Sequence, residues 1–245
     1  MKQTKILMGM PITLEVIDKA SKADFDEIYS YFKYIDNKFS TYKEDSEISL
    51  INKGKITREK FSKDMKMVFL LSEITKKQTK GFFNIFHNGK YDPSGLVKGW
   101  AIYNAAKILR KKGINNFYVD AGGDIQVFGK NRKKESWKIG IKNPFNNKEI
   151  IKVVSLKNVG IATSGTYIRG QHIYDPKNNH EIREIVSLTV IGPNVYEADR
   201  FATAAFAMGK RGIEFIESLK GFEGYMIDKD GLATLTSGFE NYVQK

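Results

Sequence analysis

Residues 114–128 read INNFYVDAGGDIQVF. Apolar residues alternate on both sides of Gly122-Gly123, so the stretch reads as two short strands broken at the glycines. Before it, the apolar spacing is helical. Phe25, Ile28, Tyr29, Phe32 and Ile35 lie three and four apart within 22–35, the stripe of an amphipathic helix. A second helix is predicted from Ser62, a suitable N-cap, to Lys77, with Met65, Val68, Phe69, Leu71 and Ile74 on its apolar side. A third covers 97–112 and ends at Gly113, a suitable C-cap. After it, the spacing is that of strands: WKIGI at 137–141, IIKVVSL at 150–156, VGIAT at 159–163 and SLTVIG at 187–192. Helices return at 196–209 and 212–219. EGYMI at 223–227 and LATLT at 232–236 form a closing hairpin with its turn at 228–231. At the start, residues 6–18 alternate around Pro11 like one strand near a sheet edge. Helices early and strands late argue an α+β fold with a mixed, largely antiparallel sheet and packed helices, not a doubly wound parallel sheet.

The chain has 245 residues and shows no linker and no repeat, so residues 1–245 are expected to form one domain, or two intimately packed subdomains. There are no cysteines, which excludes thiolate metal sites, cysteine nucleophiles and disulfide scaffolds. Lys and Arg number 40 against 28 Asp and Glu, a net charge of +12. Either a polyanionic partner or a lysine-rich solvated surface accounts for that excess. Its densest cluster is Lys130, Arg132, Lys133 and Lys134, which reads as a hairpin tip. With no zinc finger, basic heptad helix or aromatic RNA-binding signature, nucleic-acid binding is not expected. No segment approaches the roughly 18 apolar residues of a membrane span. The opening MKQTKILMGMPITLEV has neither a long apolar run nor a small-residue cleavage site, so the expected compartment is the cytoplasm.

Four segments have the residue types for chemistry. In YDPSGLVKGW, 91–100, a small-residue turn opens a helix with Lys98 in its first turn. Free amides and an ammonium there suit phosphate, and an ordinary cap with a surface lysine suits the pattern equally. VDAGGD, 119–124, is either a bulge or a place where backbone closely approaches a ligand. ATSGTYIR, 162–169, sets hydroxyl residues at a strand end and leads into QHIYDP, which contains His172. That histidine can be an acid, a base or a phosphate contact because it titrates near neutrality, or a satisfied structural residue. His180 lies in the polar loop KNNHE, and His87 follows no motif. In EADRFATA, 197–204, Asp199 and Thr203 are four apart on one helix face. They either ligate a hard cation such as Mg²⁺, with other oxygens completing the shell, or hydrogen-bond within the helix.

In this order, MGMPITLEV, IDNKFSTYKEDSEISLIN, DPSGLVKGWA, DAGGD, IATSGTYIRG, HIYDP and ADRFATAAFAMG resemble the FAD:protein FMN transferases, the ApbE-type flavin transferases, over nearly the whole chain. The resemblance implies a mixed α+β fold. It also implies Mg²⁺-dependent cleavage of the FAD pyrophosphate, with FMN joined through a phosphoester to a Thr or Ser of an acceptor flavoprotein and AMP released. Asp199 and Thr203 match the family's metal ligands, and Gly95 stands where a further metal contact comes, here from its main-chain oxygen. Met8 matches the flavin-contacting methionine, and Asp92 and Lys98 match FAD-contacting positions. His172 matches the histidine held to act in catalysis, and Asp120 or Asp124 is an alternative base. A monomer and a homodimer are both compatible with the sequence.

The chain departs from the family pattern in a compressed FFNIFHNGKYDPSG, in Phe83-Asn84 where Phe-Asp is usual, and in proline where leucine is common before the Ser-Gly. These changes bear on substrate handling more than on metal binding. Two other functions fit the same residues: an FAD pyrophosphatase yielding FMN and AMP, and a flavin-binding protein without turnover.

Overall fold

The computed structural model describes residues 1–146, 148–166 and 173–244. Its strands are β1 (Lys2–Leu7), β2 (Met10–Val16), β3 (Phe86–His87), β4 (Lys90–Tyr91), β5 (Phe117–Ala121), β6 (Asp124–Phe128), β7 (Trp137–Lys142), β8 (Ile150–Leu156), β9 (Gly160–Gly165), β10 (Ile185–Gly192), β11 (Glu223–Asp228) and β12 (Ala233–Leu235). Its α-helices are α1 (Lys22–Phe39), α2 (Glu47–Asn52), α3 (Lys63–Gln78), α4 (Ser94–Lys111), α5 (Val195–Ala207) and α6 (Gly212–Glu217).

Eight strands form one sheet in the order β1-β2-β5-β6-β9-β10-β11-β12. Every neighbouring pair in it is antiparallel, as expected of an α+β fold. Strand periodicity sorts the side chains between two layers. Ile12, Leu14 and Val16 of β2 and Phe117, Val119 and Ala121 of β5 share a core with Phe25, Ile28, Phe32 and Ile35 of α1 and Leu96, Ala101 and Ile102 of α4. Leu188 and Val190 of β10 pack with Ala198, Phe201 and Ala202 of α5. Ile191, one residue on, joins a separate cluster with Trp137, Ile139 and Leu156.

The α1 stripe and the helix caps act as the sequence predicts. Ser21 and Asp24 form a reciprocal capping box at the start of α1. The Ser62 hydroxyl accepts from the Met65 amide and starts α3. The glycine break falls where predicted, with Asp120 paired to Ile125 across it.

Five features differ from the sequence expectation. The single strand over 6–18 is two strands, because Met8 and Gly9 take φ of 54° and 72° and reverse the chain in a tight turn. The third helix starts at Ser94, so Gly95 lies inside its first turn and not before it. β7 and β8 leave the main sheet and form a separate two-stranded sheet, covering its other face with Trp137, Ile139 and Ile141, and Val154 of β8 bridges to Val243 near the end of the chain. Ile74 is 40% exposed and belongs to the outer side of α3. Finally, α2 and the β3-β4 hairpin were not foreseen.

Candidate functional site at the crossing of α4 and α5

The site forms where two helices come unusually close. Gly95 and Gly99 lie four apart on α4 and face Val195, Asp199 and Thr203 of α5. A Cβ on Gly99 would fall 2.6 Å from Asp199 Cβ and 2.7 Å from the Val195 carbonyl oxygen. A Cβ on Gly95 would fall 2.9 Å from Thr203 Cγ2. Only side chains this small allow the approach. α5 is set in turn by its own ends. Asn194 caps it by accepting from the Glu197 amide, and the Val195 amide donates to Gln126 Oε1 at 2.8 Å. Arg200, buried on the side toward α3, donates to Thr75 Oγ1 at 3.1 Å and pairs with Glu197. That fixes the rotation of α5 and aims Asp199 at α4.

The close approach produces a group of oxygens. The Gly99 amide donates to Asp199 Oδ2 at 2.7 Å. A regular helix aims that amide at the Gly95 carbonyl. The Gly95 carbonyl oxygen accepts from Thr203 Oγ1 at 3.3 Å, and Ser164 Oγ lies 3.5 Å from the same hydroxyl. The sequence-predicted trio of Gly95, Asp199 and Thr203 is thus brought together by side chains and backbone more than a hundred positions apart.

Beside the trio stands a buried acid that spacing alone did not assign. Asp124 is 1% exposed. Its Oδ1 accepts from the Thr163 amide at 3.1 Å, and its Oδ2 lies 2.7 Å from Lys98 Nζ. It also lies close enough to the Asp199 carboxyl to act on its charge. Burial raises the pKa of Asp199, the neighbouring Asp124 raises it further, and Lys98 with the Gly99 amide offsets only part, leaving it well above the usual carboxylate range. Two buried carboxyl groups therefore act on each other with one ammonium beside them, an arrangement that favours a further positive charge.

The donor set fits a hard divalent cation. Carboxylate, hydroxyl and main-chain carbonyl are the oxygen ligands such ions take, and a site poor in carboxylates leaves positions for water and phosphate oxygens. Among the described residues, no group of three or more His, Asp or Glu gathers as a metal cluster, at this site or elsewhere.

The other candidates fall as follows. Asp92 is exposed, and its Oδ1 accepts from the Ser94 amide at 2.9 Å, so it shapes the start of α4. Tyr174 lies near it, its hydroxyl pushed up to about 12 by burial and then by the Asp92 charge. Met8 sits in the β1-β2 turn with a positive φ, a conformation costly for a residue without a short polar side chain. Asp120 has both oxygens engaged, by the Tyr118 hydroxyl and the Gly123 amide, each at 2.8 Å. His172 lies outside the described residues. Two positions on, the Tyr174 ring stacks on His87, with centroids 3.7 Å apart. Nothing in the sequence marked His87 for that contact. His180 is exposed, as expected.

A profile of the ApbE family matches residues 8–89 and 86–226, a span containing every residue of the site. The chain belongs to the ApbE family. Within that family, the FAD:protein FMN transferase of Escherichia coli (strain K12) is 30% identical over 150 residues, 57% of this chain and 43% of that protein. The FAD:protein FMN transferase of Vibrio cholerae is 33% identical over 138 residues, 52% of this chain and 41% of that protein. The match therefore spans less than half the length of these curated relatives. Two solved ApbE structures share the fold almost end to end. The flavin transferase ApbE from Vibrio cholerae has a TM-score of 0.85 at 23% identity, covering 99% of this chain and 98% of that one. The ApbE protein from Thermotoga maritima has a TM-score of 0.87 at 22% identity, covering 100% and 99%. No helix among the described residues is long and apolar enough to cross a membrane.

Proposed function

We propose that this ApbE-family chain transfers the FMN half of FAD to a Thr or Ser hydroxyl of an acceptor flavoprotein, with Mg²⁺ held by Asp199, Thr203 and the Gly95 carbonyl. The observation that carries the reading is the meeting of those three oxygen donors with Lys98 at one helix crossing. A bound Mg²⁺ would supply charge neutralisation at the pyrophosphate. Lys98 contributes a positive charge for the non-bridging phosphate oxygens, and the start of α4 adds main-chain amides. Met8 contacts the flavin from the β1-β2 turn, and Asp92 contacts FAD from the entrance to α4.

In the reaction, the acceptor oxygen bonds to the phosphorus of the FMN half, and the bond from that phosphorus to the bridging oxygen breaks. AMP leaves with the bridging oxygen. The acceptor hydroxyl gives up its proton, and His172 is the residue proposed to take it, since a neutral hydroxyl is a weak nucleophile. Both oxygens of Asp120 accept hydrogen bonds, and Asp124 is buried and ion-paired to Lys98, which favours the histidine over either acid. The acceptor, its recognition sequence and a cytoplasmic location belong to the same proposal.

The test is mass spectrometry of a candidate acceptor after incubation with the protein, FAD and Mg²⁺. The reading expects a mass increase of one FMN, release of AMP, and loss of both with Asp199→Ala. Release of free FMN at the same rate with or without acceptor would identify a pyrophosphatase instead. FAD recovered intact would identify a flavin-binding protein without turnover.

A further inference from the structure

We propose that Asp124 is a positioning residue that holds the Lys98 ammonium off Asp199, so that the lysine stays available for phosphate oxygens and Asp199 for a divalent cation. The inference rests on the transferase reading for its purpose, but its geometry stands apart from it. Lys98, on α4, has Asp124 Oδ2 at 2.7 Å, and it also acts electrostatically on Asp199. Both carboxyl groups are nearly fully buried, and an ammonium between two acids pairs with whichever is better placed.

Asp124 is the better placed because it cannot turn away. It opens β6 directly after the Gly122-Gly123 break, and its second oxygen is pinned by the Thr163 amide of β9 at 3.1 Å. Asp199 has one oxygen committed to the Gly99 amide. A lysine moving onto it would compete with a cation for the same carboxyl. Holding the flexible lysine stem in the folded protein also removes rotamer freedom before a phosphate arrives, so less is lost on capture.

Asp124→Asn keeps the size and an acceptor for the Thr163 amide but removes the ion pair with the ammonium. The experiment is Mn²⁺ binding to the purified protein, without flavin, measured by calorimetry for wild type, Asp124→Asn, Lys98→Met and the double variant. If only charge mattered, the effects of the two substitutions would add. If Asp124 acts by restraining Lys98, Asp124→Asn weakens Mn²⁺ at least about tenfold more in the presence of Lys98 than in its absence. Additivity within about twofold overturns the inference, as does a wild type that binds no Mn²⁺. Should Asp124→Asn not fold, Asp124→Glu keeps the charge and displaces it. Weakening of Mn²⁺ by about threefold or more supports positioning, and unchanged binding overturns it. A crystal structure of the folded variant gives an independent reading: Lys98 Nζ moved onto Asp199 supports the inference, and Nζ left in place overturns it. A protein that shows the coupling yet transfers no FMN overturns the transferase reading and leaves the role of Asp124 intact.

Discussion

The main-chain amide of Gly99 donates to Asp199 Oδ2 at 2.7 Å, binding the middle of one helix to a carboxyl group one hundred positions later in the chain. The bond exists because position 99 has no side chain to hold the helices apart. Gly99→Ala would set a Cβ 2.6 Å from Asp199 Cβ and 2.7 Å from a main-chain oxygen, neither of which yields easily. A loss of about 1–3 kcal/mol in urea unfolding is expected, together with loss of cation binding. Gly95→Ala meets mainly the Thr203 methyl, at 2.9 Å, which a small rotation relieves, so its cost should be clearly smaller. Equal costs for the two variants would contradict this account of the crossing.

Asp199→Asn should separate stability from activity. The amide oxygen still accepts from Gly99, and the group can no longer ionise in the buried site beside Asp124. Without divalent ions the variant should melt no lower than wild type, while FMN transfer falls by about a hundredfold or more, equivalent to roughly 2.7 kcal/mol of barrier. A large drop in melting temperature would show that Asp199 is chiefly structural.

The turn at Met8 offers a further separation. A methionine at φ 54° is strained, whereas asparagine adopts that region readily. Met8→Asn should stabilise the protein by about 1 kcal/mol while weakening FAD binding, read by thermal melting and by flavin fluorescence titration. Unchanged FAD affinity would remove Met8 from the flavin contact.

Acid should loosen the start of α1. The Asp24 carboxylate accepts from the Ser21 amide and pairs with Lys112 and the Ser21 hydroxyl, which hold its pKa down from 3.8 to about 2. A depressed acid stabilises the fold while ionised. Its contribution is complete above the unfolded value and fades as pH falls from about 4 towards about 2. The stability difference between wild type and Asp24→Asn, followed by denaturant unfolding, should be constant near neutrality and close over that interval. A difference that persists at pH 2 would mean the cap does not depend on charge.

These relationships were unequally legible in the sequence. Ser62, Gly113 and Gly122-Gly123 announce themselves because caps and breaks are local chemistry, written within a few residues. The Asp199–Thr203 pair is local too, since a helix places positions four apart on one side. Their meeting with Gly95 rested on family resemblance, because periodicity says nothing about which helices touch. The partner of Lys98 was hidden for the same reason: Asp124 arrives from a strand, β6, and not from the helix that bears the lysine. β7 and β8 have ordinary strand alternation, and nothing in that alternation says they would form a sheet of their own. The Met8-Gly9 reversal was missed because methionine is not a turn residue, and Ile74 because an apolar residue at helical spacing is not obliged to face inward.

The joining of Gly95 to Thr203 across 108 positions has a thermodynamic corollary. An unfolded chain holds these donors too far apart to offer an ion any chelating advantage. Occupancy is therefore coupled to the native state alone, and saturation at a hundred times the dissociation constant would add about 2.7 kcal/mol to unfolding. Melting curves taken across a series of divalent salts would thus rank the ions by affinity with no acceptor protein in the tube.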